Sequence, residues 1–398
     1  MASHQYQSGE RADSPAEGAY ARNGISFAPA WETAVNEVIG DVMAGSAAAP
    51  DLLVMFVSSA WSHAFQRIID RVRGETGCPT LIGCSSSGVI ADATCHESAP
   101  GISLMAMWLP GAVLSPLRID SVPTRWPWDA TVHQENVRGI ILFSEPYRTD
   151  AQSTLVGLRS TCPGVPMVGA LASTTASDRR AWVYLGDTAY AQGAVAIAIE
   201  GPYDLLVNVS QGGTPIGSPW TITSVDHNQI ITISNRRAID VMHDTLDEIA
   251  ARGFGVSDLL VGFPMDEYQD QFVREDFVAR GILGTENATG SIMVGGIPRQ
   301  GQSIQFLLRD PSAASADLHA RLRALNHLQW PIVGGILSSC KGRGANMFGR
   351  NDHDAAAVAR ALPDVPVIGL YSAGELGPVR TVPAYNAFAV SLGLIVER

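Results

Sequence analysis

One order of elements is written three times along this chain, and few folds accommodate that. Asp51 introduces Leu52-Leu-Val-Met-Phe-Val57, an uninterrupted apolar run of the kind that forms a strand buried on both faces. Ser58 and Ser59 follow, then Ala64, Phe65, Ile68, Ile69 and Val72 at helical spacing. Gly77-Cys-Pro79 stops that helix, a short strand leads into Gly83-Cys-Ser-Ser-Ser-Gly88, and Gly101–Leu109 supplies a trailing strand. The second copy runs from Gly139-Ile-Ile-Leu-Phe143 through Ser144-Glu145, a helix with Leu155 and Leu158, and Val165–Val168. It continues into Gly169-Ala-Leu-Ala-Ser-Thr174 and closes on Gly193–Ile199. The third runs from Ile332–Leu337 through Cys340-Lys-Gly-Arg-Gly344, a helix with Val358 and Leu362, and Val365–Ile368. It continues into Gly369-Leu-Tyr-Ser-Ala-Gly374 and closes on Asn386–Ile395.

A Gly-x-x-[Ser/Ala]-[Ser/Ala] segment after a Pro-containing turn therefore recurs at 83, 169 and 369. Each copy reads β-α-β, which favours parallel pairing with a right-handed crossover. The trailing strand follows without a helix and is expected to pair antiparallel. Between copies two and three the pattern changes to short β runs, a helix through Ile239, Met242, Leu246 and Ile249, and a further β-meander over Arg280–Leu308. The expected fold is α/β grading to α+β. It comprises two domains of repeated β-α-β-β units with mixed sheets, and the meander opens the C-terminal one. The expected bounds are a disordered lead-in over residues 1–22 and domains over 23–225 and 226–398.

At 398 residues the chain has room for such domains, and 46% apolar against 17% charged residues is a globular balance. A net charge of −12 leaves no excess of cations for phosphate backbones, which argues against nucleic-acid binding. Five scattered cysteines, without zinc spacing, point to a reducing cytoplasm. No apolar run has the length of a membrane span, and the N-terminus lacks the features of a secretory signal.

These motifs resemble those of FIST-domain proteins, a FIST N region followed by a FIST C region. The N-region segments are Gly83–Gly88, Trp108-Leu-Pro-Gly111 and Gln211–Gly217. The C-region segments are Arg280-Gly-Ile-Leu-Gly284, Cys340-Lys-Gly-Arg-Gly344 and Gly374-Glu-Leu-Gly-Pro378. The resemblance spans about residues 30–396. It departs at Gly213, where the family often has cysteine after Gln-Gly. It implies a sensory module for small ligands, amino acids among them, that signals to a separate partner. Some members resemble haem proteins that sense nitric oxide and regulate a histidine kinase.

The third copy concentrates charge where the others carry hydroxyls. Arg343 offers a fork for a carboxylate and Glu375 an acceptor for an ammonium group, so the two form either a zwitterion clamp or a mutual pair. Gly342 and Gly344 would admit a ligand to the backbone. The candidate ligand residues are Cys340, Gly342, Arg343, Gly344, Ser372, Gly374 and Glu375, with Ser85, Ser86 and Ser87 as a facing wall. A thiol enzyme would use Cys340 as nucleophile and Glu375 as acid/base on a small amide or ester. The nearest histidine in sequence is His353, and binding is favoured over catalysis. A haem would need an axial ligand that the sequence does not single out among nine histidines. No metal or other cofactor is expected.

Overall fold

The computed structural model describes residues 18–121, 134–175, 179–269 and 271–398. Unit one comprises β1 (Tyr20–Ser26), α1 (Trp31–Met43), β2 (Leu52–Ser58), α2 (Phe65–Thr76) and β3 (Leu81–Ser86). A hairpin of β4 (Val89–Ala91) and β5 (Thr94–His96) follows, then β6 (Ile102–Trp108). Parallel β2–β3 pairing is flanked by antiparallel β6, and β1 closes the edge against β6. Of the lead-in expected over residues 1–22, residues 1–17 lie outside the described residues. Tyr20 already begins β1, where its ring stacks on Trp108 at 4.5 Å.

Unit two repeats the order: β7 (Val113–Ile119), β8 (Gly139–Ser144), α3 (Ala151–Thr161), β9 (Met167–Leu171), the hairpin β10 (Val183–Leu185) and β11 (Thr188–Tyr190), and β12 (Ala194–Glu200). Unit three opens on β13 (Tyr203–Gln211). An insertion follows, made of β14 (Gly213–Pro215), β15 (Trp220–Asp226), β16 (Gln229–Ile233), β17 (Arg236–Arg237), α4 (Ala238–Ala250), β18 (Leu259–Pro264), β19 (Phe277–Glu286), β20 (Ser291–Val294) and β21 (Ser303–Arg309). The unit resumes with α5 (Pro311–Ala324), β22 (Ile332–Cys340), α6 (Ala345–Phe348), α7 (His353–Ala361) and β23 (Val367–Ser372). It ends with the hairpin β24 (Gly374–Val379) and β25 (Val382–Asn386), then β26 (Ala389–Glu397).

The hairpins exchange sheets in a cycle. The β4–β5 hairpin of unit one adds to β23, that of unit two adds to β3, and that of unit three adds to β9. Three six-stranded mixed sheets result, each finished by a neighbour. Their inner faces share one core: Val54 and Phe56 of β2, Ile141 and Phe143 of β8, and Ile336 and Ile368 of unit three. The alternate residues Leu53, Met55 and Val57 pack outward under α1 and α2, which is why the whole β2 run is apolar. The outer faces of the other two sheets are covered by α3 and by α5 with α7.

The segments expected as glycine-rich loops are largely strand. Gly83, Gly169 and Gly369 each lie against a carbonyl of the neighbouring parallel strand. A Cβ there would sit 1.8, 1.8 and 2.2 Å from the oxygens of Met55, Leu142 and Leu337. These glycines therefore serve close strand approach rather than ligand access. Gly83→Ala is expected to lower stability by roughly 2 kcal/mol, the usual scale of core overpacking. Urea denaturation of the variant checks this, and an unchanged midpoint would show that β2 and β3 part without penalty.

The insertion curls into a closed sheet. Strands β21, β15, β16, β20, β19 and β18 pair in succession, and β18 returns to β21. Successive strands β19 and β20 pair as the meander reading requires, whereas β21 leaves β20 to close the ring. Ile222, Ile292, Val294 and Phe306 fill its core with Ile239, Met242 and Ile249 of α4. No helix among the described residues is long and apolar enough to cross a membrane.

Candidate functional site

The three strand ends meet at the centre of the molecule. Ser173 N–H donates to the Ser85 carbonyl and Ala373 N–H to that of Leu171, both at 3.1 Å. The third leg is bridged by a hydroxyl: Ser87 N–H donates to Ser173 Oγ at 2.7 Å, and Ser173 Oγ donates to the Tyr371 carbonyl. Ser85 Oγ donates to the Ser173 carbonyl (3.1 Å) and accepts from Trp182 N–H (2.9 Å), while Ser87 Oγ donates to the Tyr371 carbonyl (3.3 Å). Ser86 is equally buried, and its hydroxyl has no partner among the described residues. These serines knit the three units together, because each loop's free backbone groups must be satisfied away from water.

The charged residues of unit three form a second buried group beside this axis. Arg343 is fully buried and pairs with Asp354, not with Glu375: Nε donates to Oδ2 at 2.9 Å and Nη2 to Oδ1 at 3.0 Å. Its Nη1 donates to the Phe388 carbonyl at 3.3 Å. Ser339 Oγ also donates to Asp354 Oδ2 at 2.8 Å. Burial opposes the charge on Asp354, but Arg343 and the surrounding donors outweigh it and hold the carboxyl well below its usual range. The Arg343 fork is thus occupied from within the protein. The loop glycines are covered as well. A Cβ on Gly342 would meet the Phe388 ring, and one on Gly344 would meet the Glu97 carboxylate, which accepts from Ala345 N–H at 2.7 Å.

Glu375 is buried on β24. Ser372 Oγ donates to its Oε1 at 2.5 Å and Ala389 N–H to its Oε2 at 3.1 Å. Burial pushes its pKa up to about 8, against the opposing pull of Ser372, Ala389 N–H, the Cys340 thiol and Arg343. Cys340 is buried too, and burial with Glu375 beside it raises its thiol far above the ordinary value. The thiolate that a nucleophilic cysteine requires is therefore disfavoured here.

Next to this group lies a cleft of about 550 Å³, bounded by three parts of the fold. Unit two contributes Thr149, Asp150 and the start of α3, the β24–β25 hairpin contributes Gly374 and Asn386, and the insertion contributes Pro264, Arg280, Gly295 and Gly296. The sheet exchange creates it, since that hairpin belongs to unit three but is seated on the sheet of unit two. Half-buried Arg280 is held by one nitrogen: Nη1 donates to the carbonyls of Ala279 (2.9 Å) and Tyr385 (2.7 Å). Among the described residues its Nε and Nη2 have no hydrogen-bond partner, and no carboxylate lies within ion-pair distance. Burial lowers its pKa to about 10, with Glu375 the nearby charge opposing the shift. Asp150 caps α3, accepting from Ser153 N–H (2.9 Å) and Ser153 Oγ–H (2.6 Å), and these bonds keep its pKa low.

Of the residues expected from sequence, Gly374 borders the cleft, while Cys340, Arg343, Ser372 and Glu375 lie in the buried group behind it. Arg280 stands in a motif already singled out, Arg280–Gly284. The signal that would have raised it is a lone cation in the otherwise apolar stretch Phe277–Leu283. Asp150 reads in sequence only as a helix cap. Among the described residues that line this cleft, none is a histidine or a cysteine.

Three mixed sheets, with a closed sheet inserted in the third unit, define an α/β protein with a cleft where the insertion meets the sheet of unit two. Family models for the FIST N domain and the FIST C domain match residues 51–236 and 238–378. The chain belongs to the FIST family of sensory domains. An uncharacterized protein of Mycobacterium tuberculosis is 29% identical over 393 residues, 94% of this chain and 99% of the relative. Another of Mycobacterium bovis is 28% identical over 388 residues, with 94% and 98% covered. Among solved structures, a cyanuric acid hydrolase from A. caulinodans covers 96% of this chain and 99% of its own at 10% identity and a TM-score of 0.33. PurLQS from Thermotoga maritima covers 96% and 72% at 11% identity and a TM-score of 0.25. Scores this low bear on neither fold detail nor function.

Proposed function

We propose that the protein is a cytosolic sensor that binds a small zwitterion, an amino acid or a close analogue, in the 550 Å³ cleft. The observation carrying this reading is Arg280: a guanidinium anchored by Nη1 alone, with Nε and Nη2 left for a carboxylate. Asp150, which also lines the cleft, is the acceptor for the ligand's ammonium group. The volume falls in the range of small-molecule sites. The zwitterion clamp expected from Arg343 and Glu375 is thereby reassigned to Arg280 and Asp150. Occupancy would alter the seating of the inserted sheet on the β24–β25 hairpin and so reach a separate partner such as a histidine kinase, in keeping with the family's sensory role.

A thermal-shift panel of amino acids should find stabilising ligands, and titration calorimetry on the best of them gives its Kd. Arg280→Ala is expected to weaken that ligand by roughly 30-fold or more, the lower end of the cost of removing one partner of a desolvated charge pair. An unchanged Kd in a folded variant would sink the assignment of Arg280.

A further inference from the structure

A second cleft, of about 600 Å³, opens on the far side of the buried charges between α5 and α7. Its floor is a chain of hydrogen bonds. Asp354 Oδ1 accepts from His353 Nδ1 at 2.9 Å, and His353 Nε2 stands 2.9 Å from Ser315 Oγ. Asp354 is already fixed by two bonds from Arg343 and one from Ser339, so it stays ionised and can only accept. That requires the His353 proton on Nδ1 and leaves the Nε2 lone pair facing the serine hydroxyl. Phe348 stacks on the His353 ring at 3.6 Å and fixes its plane. Ser315 and His353 both border the cleft, and the His353 side chain is 15% exposed.

The geometry points to a serine-nucleophile site at Ser315, with His353 as general base and Asp354 as its positioning residue, for small acyl esters. A nucleophile bonded to a base, the base bonded to an orienting carboxylate, and open access to the nucleophile are the features such chemistry requires. Arg323 also lines the cleft and gives it a positive charge. Ser315 Oγ attacks the acyl carbon as its proton passes to His353 Nε2. The ester C–O bond then breaks, and the leaving alkoxide takes that proton from His353 and departs as the alcohol. Water attacks the acyl-serine, giving a proton to His353. That proton returns to Ser315 Oγ as the carboxylic acid leaves. The site is separate from the amino-acid cleft and does not use the buried thiol of Cys340.

The test is labelling of the full chain with a fluorophosphonate probe, read by peptide mass spectrometry, together with release of p-nitrophenol from p-nitrophenyl acetate. Ser315 is expected to carry the label. His353→Gln should slow labelling and p-nitrophenol release by about 100-fold, the lower range of general-base contributions. Ser315→Ala, a substitution that helices tolerate well, should abolish both while keeping the wild-type thermal midpoint. Absence of label on Ser315 in the wild type, or label acquired equally fast by folded His353→Gln, overturns the proposal. Esterase activity undiminished in Ser315→Ala does the same.

Discussion

Arg343→Ala is expected to lower the free energy of unfolding by roughly 3–5 kcal/mol, the range seen when one partner of a buried ion pair is removed. Much of that loss arises from what remains. Asp354 is 5% exposed and would keep its charge in the interior with only Ser339 and His353 as donors. The double replacement Arg343→Met with Asp354→Leu should recover most of the stability, because it removes both desolvated charges at once. Urea denaturation of the three proteins at pH 7 decides the matter. A single-variant loss below about 1 kcal/mol would mean that water reaches Asp354, since exposed pairs are worth no more than that. Acid gives a second readout. The Asp354 pKa is depressed on folding, so its contribution is present above the ordinary carboxylate value and is lost as the pH falls below that value toward the depressed folded one. Arg343→Ala should flatten that part of the wild-type acid denaturation curve.

The repeat was legible because its strands are buried on both faces and must be apolar throughout, as in Leu52–Val57. The sheet exchange was not legible. Val89–Ala91 and Val183–Leu185 are three-residue strands, too short to carry a periodicity, and nothing local says which sheet they join. The trailing antiparallel strands followed from chain length alone, since no helix separates them from their predecessors. At the site, the residue types were legible and their partners were not. Arg343, Glu375 and Cys340 lie close enough to act on one another's charge. Asp354 sits in the first turn of α7, where nothing local marks it, and in space it takes the Arg343 fork. The same holds for Glu97, which lies 248 residues from the amide it accepts. Such long-range partners are set by the cyclic packing of the units, and local sequence carries no trace of it.

Between pH 4.5 and about 8 the wild-type protein is expected to lose stability relative to Glu375→Gln as the pH rises. The unfolded carboxyl releases its proton near 4.5, whereas the buried one holds it to about 8. Across that window the folded state binds one more proton than the unfolded state, so unfolding is increasingly favoured with rising pH. The slope is about 1.4 kcal/mol per pH unit, giving roughly 4 kcal/mol over the window. Below 4.5 and above 8 the difference between the two proteins should stop changing. The amide is isosteric and cannot ionise, so other titrating groups largely cancel in the comparison. Denaturation curves at five pH values from 4 to 9 that run parallel for the two proteins would show that Glu375 titrates normally. The same proton bears on the 550 Å³ cleft. A neutral Glu375 leaves the charge on Arg280 uncompensated, which favours an anionic group in the cleft. An ionised Glu375 opposes it. Affinity for a carboxylate ligand should therefore fall above pH 8 in the wild type and hold steadier in Glu375→Gln. That would tie the buried acid of unit three to the site that the inserted sheet completes.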